Sequence, residues 1–349
     1  MVRPSAASAR LFSPRRRGSI LLLVLTLIVV VAYTLTRFIE RGAVEIQAEG
    51  YYVERARLRL RAWSMLETAV ATLADVKAID GALYAPAQGW GDPVAYAGIE
   101  TPPGLNVRFN FIDESGKLGI NQLDQGSLFL LFDQMGFDLE ESQRMTSALL
   151  DWIDEDDETR VDGAESREYS TSEMKQRPAN RPLRSLEELY YVMGFRERFF
   201  DGRGVPNAAF ERLASAVTHL DAQRLNANAA SPLALQALAG LDELQVESLE
   251  TFLAGFDGVM GTEDDNYFAS AQEISDVIGE TAAPGILSAE IAILTIEVTV
   301  SEGGSAYTLS GTLDTRSRPG ASEGGGAPDY PFVFLEIRER PGSTGPSAL

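Results

Sequence analysis

The sequence predicts an α+β protein: an N-terminal transmembrane and stem α-helix, an antiparallel sheet, and a large all-α domain inserted into that sheet. Three observations predict it. Behind Arg15-Arg16-Arg17-Gly18-Ser19, Ile20 to Thr36 is a run of seventeen residues without a formal charge. One alternating strand pattern, Asn106 to Asp113, then precedes a long helical stretch. Three further strand patterns follow that stretch: Ala289 to Val300, Ala306 to Leu313 and Phe332 to Ile337, with Gly303-Gly304 marking a turn.

Taken in order, residues 1–18 form a basic leader with five arginines and no acids. The seventeen uncharged residues, at about 1.5 Å each, are at the short end of what crosses a hydrocarbon core. Arginines before the run and few basic residues just after it put the N-terminus in the cytoplasm. Residues 19–80 read as transmembrane and stem helix. Past the span, Tyr52, Ala56, Leu60, Trp63, Leu66, Val70, Leu73 and Val76 recur at helical spacing and predict one buried face. Gly81 to Gly104 is loop-like. Residues 81–117 and 281–340 carry the strands, and 118–280 the inserted helical domain. Ser185 with Glu188 three residues on predicts a capping box that starts a helix ending at Gly194. Pro319 to Pro328 reads as a flexible Gly-rich loop, and 341–349 as a disordered tail.

The insertion contains a weak internal repeat. Lys117-Leu118-Gly119-Ile120-Asn121 returns 107 residues later as Arg224-Leu225-Asn226-Ala227-Asn228. Each copy is followed by helix, short turn, helix and an acidic loop. Such units resemble helix-hairpin-helix or SAM-like modules. Members that bind DNA do so through a basic Gly-rich turn, whereas Gln134 to Asp138 and Ala239 to Asp242 hold no basic residue.

Charge and composition exclude more than they specify. The chain carries a net charge of −21, which repels nucleic acid and suits divalent cations. There is no cysteine, so no disulfide and no thiol nucleophile, and the single histidine is His219. No P-loop or H-E-x-x-H motif occurs. The expectation is a protein that is not an enzyme; the rival is a membrane-anchored acid-pair hydrolase using Asp154 and Glu165.

Two acidic loops are the candidates for chemistry. Numbered from Asp154, carboxylates fall at positions 1, 3, 5, 9 and 12, the last being Glu165. That resembles the ligand spacing of an EF-hand, except that Thr159 stands where that loop requires Gly. The stretch therefore reads as an acidic loop able to fold around a hard cation, calcium being the expected one. In the second loop, Asp257 and the cluster Glu263, Asp264 and Asp265 sit around two glycines and are a further candidate set for one cation.

The leader carries a resemblance. A basic segment ending in Gly, followed at once by an uncharged helix, resembles the class III signal of type IV prepilins and pseudopilins. It implies cleavage by a prepilin peptidase between Gly18 and Ser19. Most of that family have Glu at the fifth mature position, and here that position is Leu23. Together with Leu149 to Asp156, Gly163-Ala164-Glu165, Tyr169 and Leu225 to Ala229, this resembles the K-type minor pseudopilins of type II secretion. The resemblance implies a pseudopilin-like sheet interrupted by a helical domain, and calcium in the outer part. It carries Asp154, Asp156 and Glu165 over as ligands, with Asp257, Glu263, Asp264 and Asp265 second. It also implies an inner-membrane anchor with the bulk periplasmic, I-type and J-type minor pseudopilins as partners, and a place at the filament tip. The alternative is a minor subunit or adhesin of a type IV pilus-like filament.

Overall fold

The computed structural model describes residues 17–171, 177–262, 264–279, 285–316 and 332–342. The elements in chain order are α1 (Arg17–Asp80), α2 (Pro93–Tyr96), β1 (Asn106–Asp113) and β2 (Leu118–Gly119). Then come α3 (Gln125–Gln134), α4 (Leu139–Ile153), α5 (Ser166–Thr171), α6 (Arg196–Phe199), α7 (Ala208–Ala214) and β3 (Val217–Thr218). The last are β4 (Leu225–Asn226), α8 (Pro232–Ala237), α9 (Glu243–Leu253), α10 (Ala271–Ile278), β5 (Leu287–Ser288), β6 (Ile293–Glu302), β7 (Ser305–Asp314) and β8 (Val333–Pro341). The chain divides into two units, one up to Arg57 and one from Leu58.

The described residues of the first unit are helix. Its apolar side chains from Ile20 to Val53 are exposed, and the stretch is long and apolar enough to cross a membrane. In the second unit, α1 presents Leu58, Ala62, Leu66, Ala69, Val70, Leu73 and Val76 to a core. The expected face is corrected at its start. Tyr52 and Leu60 are 72% and 68% exposed, while Leu58 and Ala62 take the buried positions. The helical spacing identified a stripe, but the sheet that covers it begins only at Leu58.

That sheet has the order β1-β6-β7-β8, every pair antiparallel. Alternation puts Leu294, Ile296, Val298, Val300, Tyr307, Leu309 and Leu313 on the face that meets α1. Each fully buried aliphatic side chain stabilises the pair of layers by about 1.5–3 kcal/mol. β6 and β7 join through Gly303 and Gly304, at φ +58° and +89°. A two-residue hairpin with both central residues left-handed matches the twist of its strands, and glycine takes that conformation without penalty. Pro319 to Pro328 and the tail from Ser343 lie outside the described residues.

Between β1 and β6, which pair from Asn106↔Ser301 to Asp113↔Leu294, the chain makes the entire helical block. The block has its own core, built around Leu128, Leu131, Phe132, Leu149, Phe195, Phe199, Leu233 and Leu249. The internal repeat is real in three dimensions. β2 pairs in parallel with β3, and β4 in parallel with β5. Asn121 Nδ2 donates to the carbonyls of Leu183 and His219, and its Oδ1 accepts the N–H of Leu183 at 2.8 Å. Asn228 makes the same three bonds to Phe268 and Ala289. Asp138 and Asp242 cap the second helix of each hairpin. One expected cap is corrected: Leu186–Tyr191 is a 3-10 segment in which Ser185 makes no side-chain cap. Glu188 instead accepts the N–H of Arg184 at 3.0 Å and pairs with Arg181 at 3.1 Å, so its carboxylate is taken before it reaches Ser185.

Candidate cation site

The first acidic loop starts where α4 ends. The last turn of α4 is anchored by Leu149 and Trp152, both buried, and Asp154 caps it in an extended conformation. Trp152 packs on Tyr169 of α5, ring centroids 5.4 Å apart. Since Tyr169 is four residues past Glu165 and fully buried, it pulls Glu165 inside, to 1% exposure.

A second anchor shapes the middle of the loop. Asp151, fully buried on α4, accepts the Arg160 guanidinium at 2.7 Å and the Arg160 N–H at 3.2 Å. Arg160 also pairs with Asp154 through Oδ2. Gly163 closes against the same group: a Cβ there would lie 2.0 Å from Asp151 Oδ2.

These anchors bring Asp154, Asp156 and Glu165 together, with one oxygen from each within 4.8 Å of the others. Asp154 Oδ1 and both oxygens of Glu165 are buried without a hydrogen-bond partner. Burial, then the charges of Asp151, Asp154, Asp157 and Asp156, push the Glu165 carboxyl up to about 7. Orphaned buried acceptors are costly, and carboxylates this close repel one another. The set fits a hard cation, because the three converging side chains offer only carboxylate oxygens. Positions 5 and 9 of the spacing do not join it: Glu158 and Asp162 are not among the converging carboxylates, and of the three that converge Asp156 is the exposed one. With Thr159 at the sixth position and Arg160 pinned to Asp151, the chain does not take the EF-hand path.

The second loop behaves differently. Asp264 Oδ2 accepts the N–H groups of Phe256 and Asp257, at 2.8 and 2.9 Å. Asp265 accepts those of Gly261 and Thr262, and Asp257 that of Val259. Their oxygens hold the backbone turn, and Asp257, Asp264 and Asp265 do not converge as a ligand set; Glu263 lies outside the described residues. Near the N-terminus, Gly18 and Ser19 fall in the first turn of α1, and Leu23 is 68% exposed on it.

The carboxylates were legible as a pattern. The parts played by Arg160 and Asn180 were not, and Gly163 stood out only as part of the resemblance. Asn180 donates its Nδ2 to the Asp156 carbonyl at 2.8 Å from 24 residues downstream, with no spacing signal to announce it.

The site thus sits in a chain with an apolar N-terminal helix, an antiparallel sheet packed on its continuation, and a helical block between two paired strands. Residues 108–202 match the family model described as type II secretion system (T2SS), protein K. A chain of the crystal structure of the GspK-GspI-GspJ complex from the enterotoxigenic Escherichia coli type 2 secretion system shares the fold. Its TM-score is 0.57 at 13% identity, over 85% of this chain and 99% of its own. No curated protein matches the sequence. The resemblance to the K-type minor pseudopilins is thus borne out by both the family match and the fold.

Proposed function

We propose that this chain is a tip subunit of a type II secretion pseudopilus, initiating filament assembly with I-type and J-type minor pseudopilins and supporting export across the outer membrane. It acts by binding and catalyses no reaction. It is anchored in the inner membrane by one helix, N-terminus cytoplasmic and bulk periplasmic, after a prepilin peptidase cuts between Gly18 and Ser19. The observation that carries the reading is the helical block between β1 and β6. A block of that size is not easily accommodated along a filament shaft, whereas a tip leaves it free. Leu23 agrees. A carboxylate at the fifth mature position is useful only if a subunit above offers an amine, and unpaired in lipid it is costly.

The first test is the N-terminal residue of the protein made in a host with a prepilin peptidase. A start at Ser19 supports processing; a start at Met1 or Val2 reduces α1 to a plain anchor and removes the argument from Leu23. The tip role is then read from Leu23→Glu, expected to lower secretion and the yield of complex with the I-type and J-type partners. Wild-type secretion by that variant refutes it.

In this reading Asp154, Asp156 and Glu165 hold calcium. Bound there, the cation supplies the positive charge that lets three convergent carboxylates stay ionised and ties α4 to α5. Calcium should therefore raise the melting temperature of the chelator-treated protein, since a ligand that binds only the native state adds stability, about 2.7 kcal/mol at a hundredfold excess over Kd. Asp154→Ala should remove most of that rise. An unchanged melting temperature at saturating calcium would sink the metal assignment.

A further inference from the structure

We infer that the side-chain carbonyl of Asn180 belongs to the same cation-holding set as Asp154, Asp156 and Glu165, an inference that rests on the calcium reading above. Two bonds fix where Asn180 stands. Its backbone N–H donates to the Trp152 carbonyl at 3.1 Å, and its Nδ2 donates to the Asp156 carbonyl at 2.8 Å. It is thereby clamped to residues on either side of Asp154. The second bond also settles the orientation of the amide. Because Nδ2 is spent on a carbonyl, the other atom is the oxygen, an acceptor only.

That oxygen is buried and has no hydrogen-bond partner. Asp154 Oδ1 and both oxygens of Glu165 are in the same condition. Four acceptors without a donor, contributed by residues tied to one loop, do not satisfy one another. Arg160, the nearby cation, already pairs with Asp151 and with the other oxygen of Asp154. A hard cation resolves all four at once, and the amide adds a ligand oxygen without adding charge to a loop that already carries a buried Asp151 beside it. A larger oxygen count favours calcium over magnesium, which prefers few protein ligands and keeps its waters.

Asn180 also stands at φ +45°, left-handed, where Asn and Gly are the tolerated residues. That makes Asn180→Gly an informative variant, because it keeps the backbone conformation while removing the carbonyl. The experiment is calorimetric titration of calcium, and separately magnesium, into the chelator-treated full chain in detergent. For Asn180→Gly, calcium affinity should fall about tenfold or more. Asn180→Asp keeps an oxygen in place and should bind calcium at least as tightly as wild type. Asn180→Gly binding within twofold of wild type would overturn the inference. So would weaker binding by Asn180→Asp, which would mean that the N–H to Asp156 was the group required; this second variant decides the matter if the first fails to fold. A wild-type chain that takes up no calcium is a different failure, because it removes the calcium reading itself before either variant is compared.

Discussion

Asp151 is the residue around which the first acidic loop is built, although it is not one of the convergent three. Fully buried on α4, it holds Arg160, and the space beside it admits a glycine hydrogen but no methyl group. Gly163→Ala should therefore destabilise by about 1–3 kcal/mol, the usual consequence of forcing volume into a packed site. It should also shrink the calcium-dependent rise in melting temperature; paired thermal melts with calcium and with chelator measure both. This dependence was hidden in the sequence for a physical reason. The 1, 3 and 12 spacing of Asp154, Asp156 and Glu165 is local and could be read directly. Burial of Glu165 depends on Tyr169 finding Trp152, and the pinning of the loop on a guanidinium finding a helix it does not belong to.

Elements show a similar division. The strand patterns of β1, β6 and β7 follow from alternation and a Gly-Gly turn, so these strands were legible, although β6 starts at Ile293 and not at Ala289. The start of the stem's buried face was not, because a helix carries apolar spacing whether or not a partner layer reaches it. The stem is fastened to the sheet by a polar lock that no pattern announces. Arg59 donates to both oxygens of Glu339 on β8, at 2.6 to 3.0 Å. The Tyr307 hydroxyl and the Trp63 indole N–H donate to the same carboxylate. Arg59 first, then Tyr307, holds Glu339 down at about 2, against an ordinary value of 4.5. A depressed carboxylate stabilises the fold fully above its unfolded value, so this contribution is present above about 4.5 and is lost as pH falls toward 2. Glu339→Gln should lower the melting temperature at pH 7 and leave a shallower acid limb between those two values. Identical acid limbs would show that the lock is silent. The two repeat units give a matched pair of variants. Asn121→Ala and Asn228→Ala each strand a backbone N–H, at Leu183 and at Phe268, and each should destabilise by about 1–3 kcal/mol in chemical denaturation.

At the scale of the molecule, two cores lie in one unit, and the sheet core draws on residues from Leu58 to Leu105 and from Ile291 onward. The helical block core draws on those between, Leu118 to Ala289. A chain in which a short turn replaces residues 115–290 should keep an antiparallel sheet on the stem helix, checked by far-ultraviolet circular dichroism and a cooperative melt. Loss of all strand signal would mean that the sheet cannot stand without the block. The seam between them carries several polar ties, among them Asn226 Nδ2 donating to Asp113 Oδ2 and to the Tyr84 carbonyl. The Ser115 hydroxyl oxygen accepts the N–H groups of Ala292 and Ile293, at 2.7 and 2.9 Å, where the chain leaves the sheet and where it returns. That seam bears on the order of folding. For β1 to meet β6 in an unstructured chain, a loop running from position 113 to position 294 must close, and its entropy opposes the encounter. A helical block folded beforehand delivers its two ends side by side, and the closure left to the sheet is only a few residues long. Variants that weaken the block without touching a strand, Asn121→Ala among them, should then slow the appearance of the sheet in refolding as well as lower its stability.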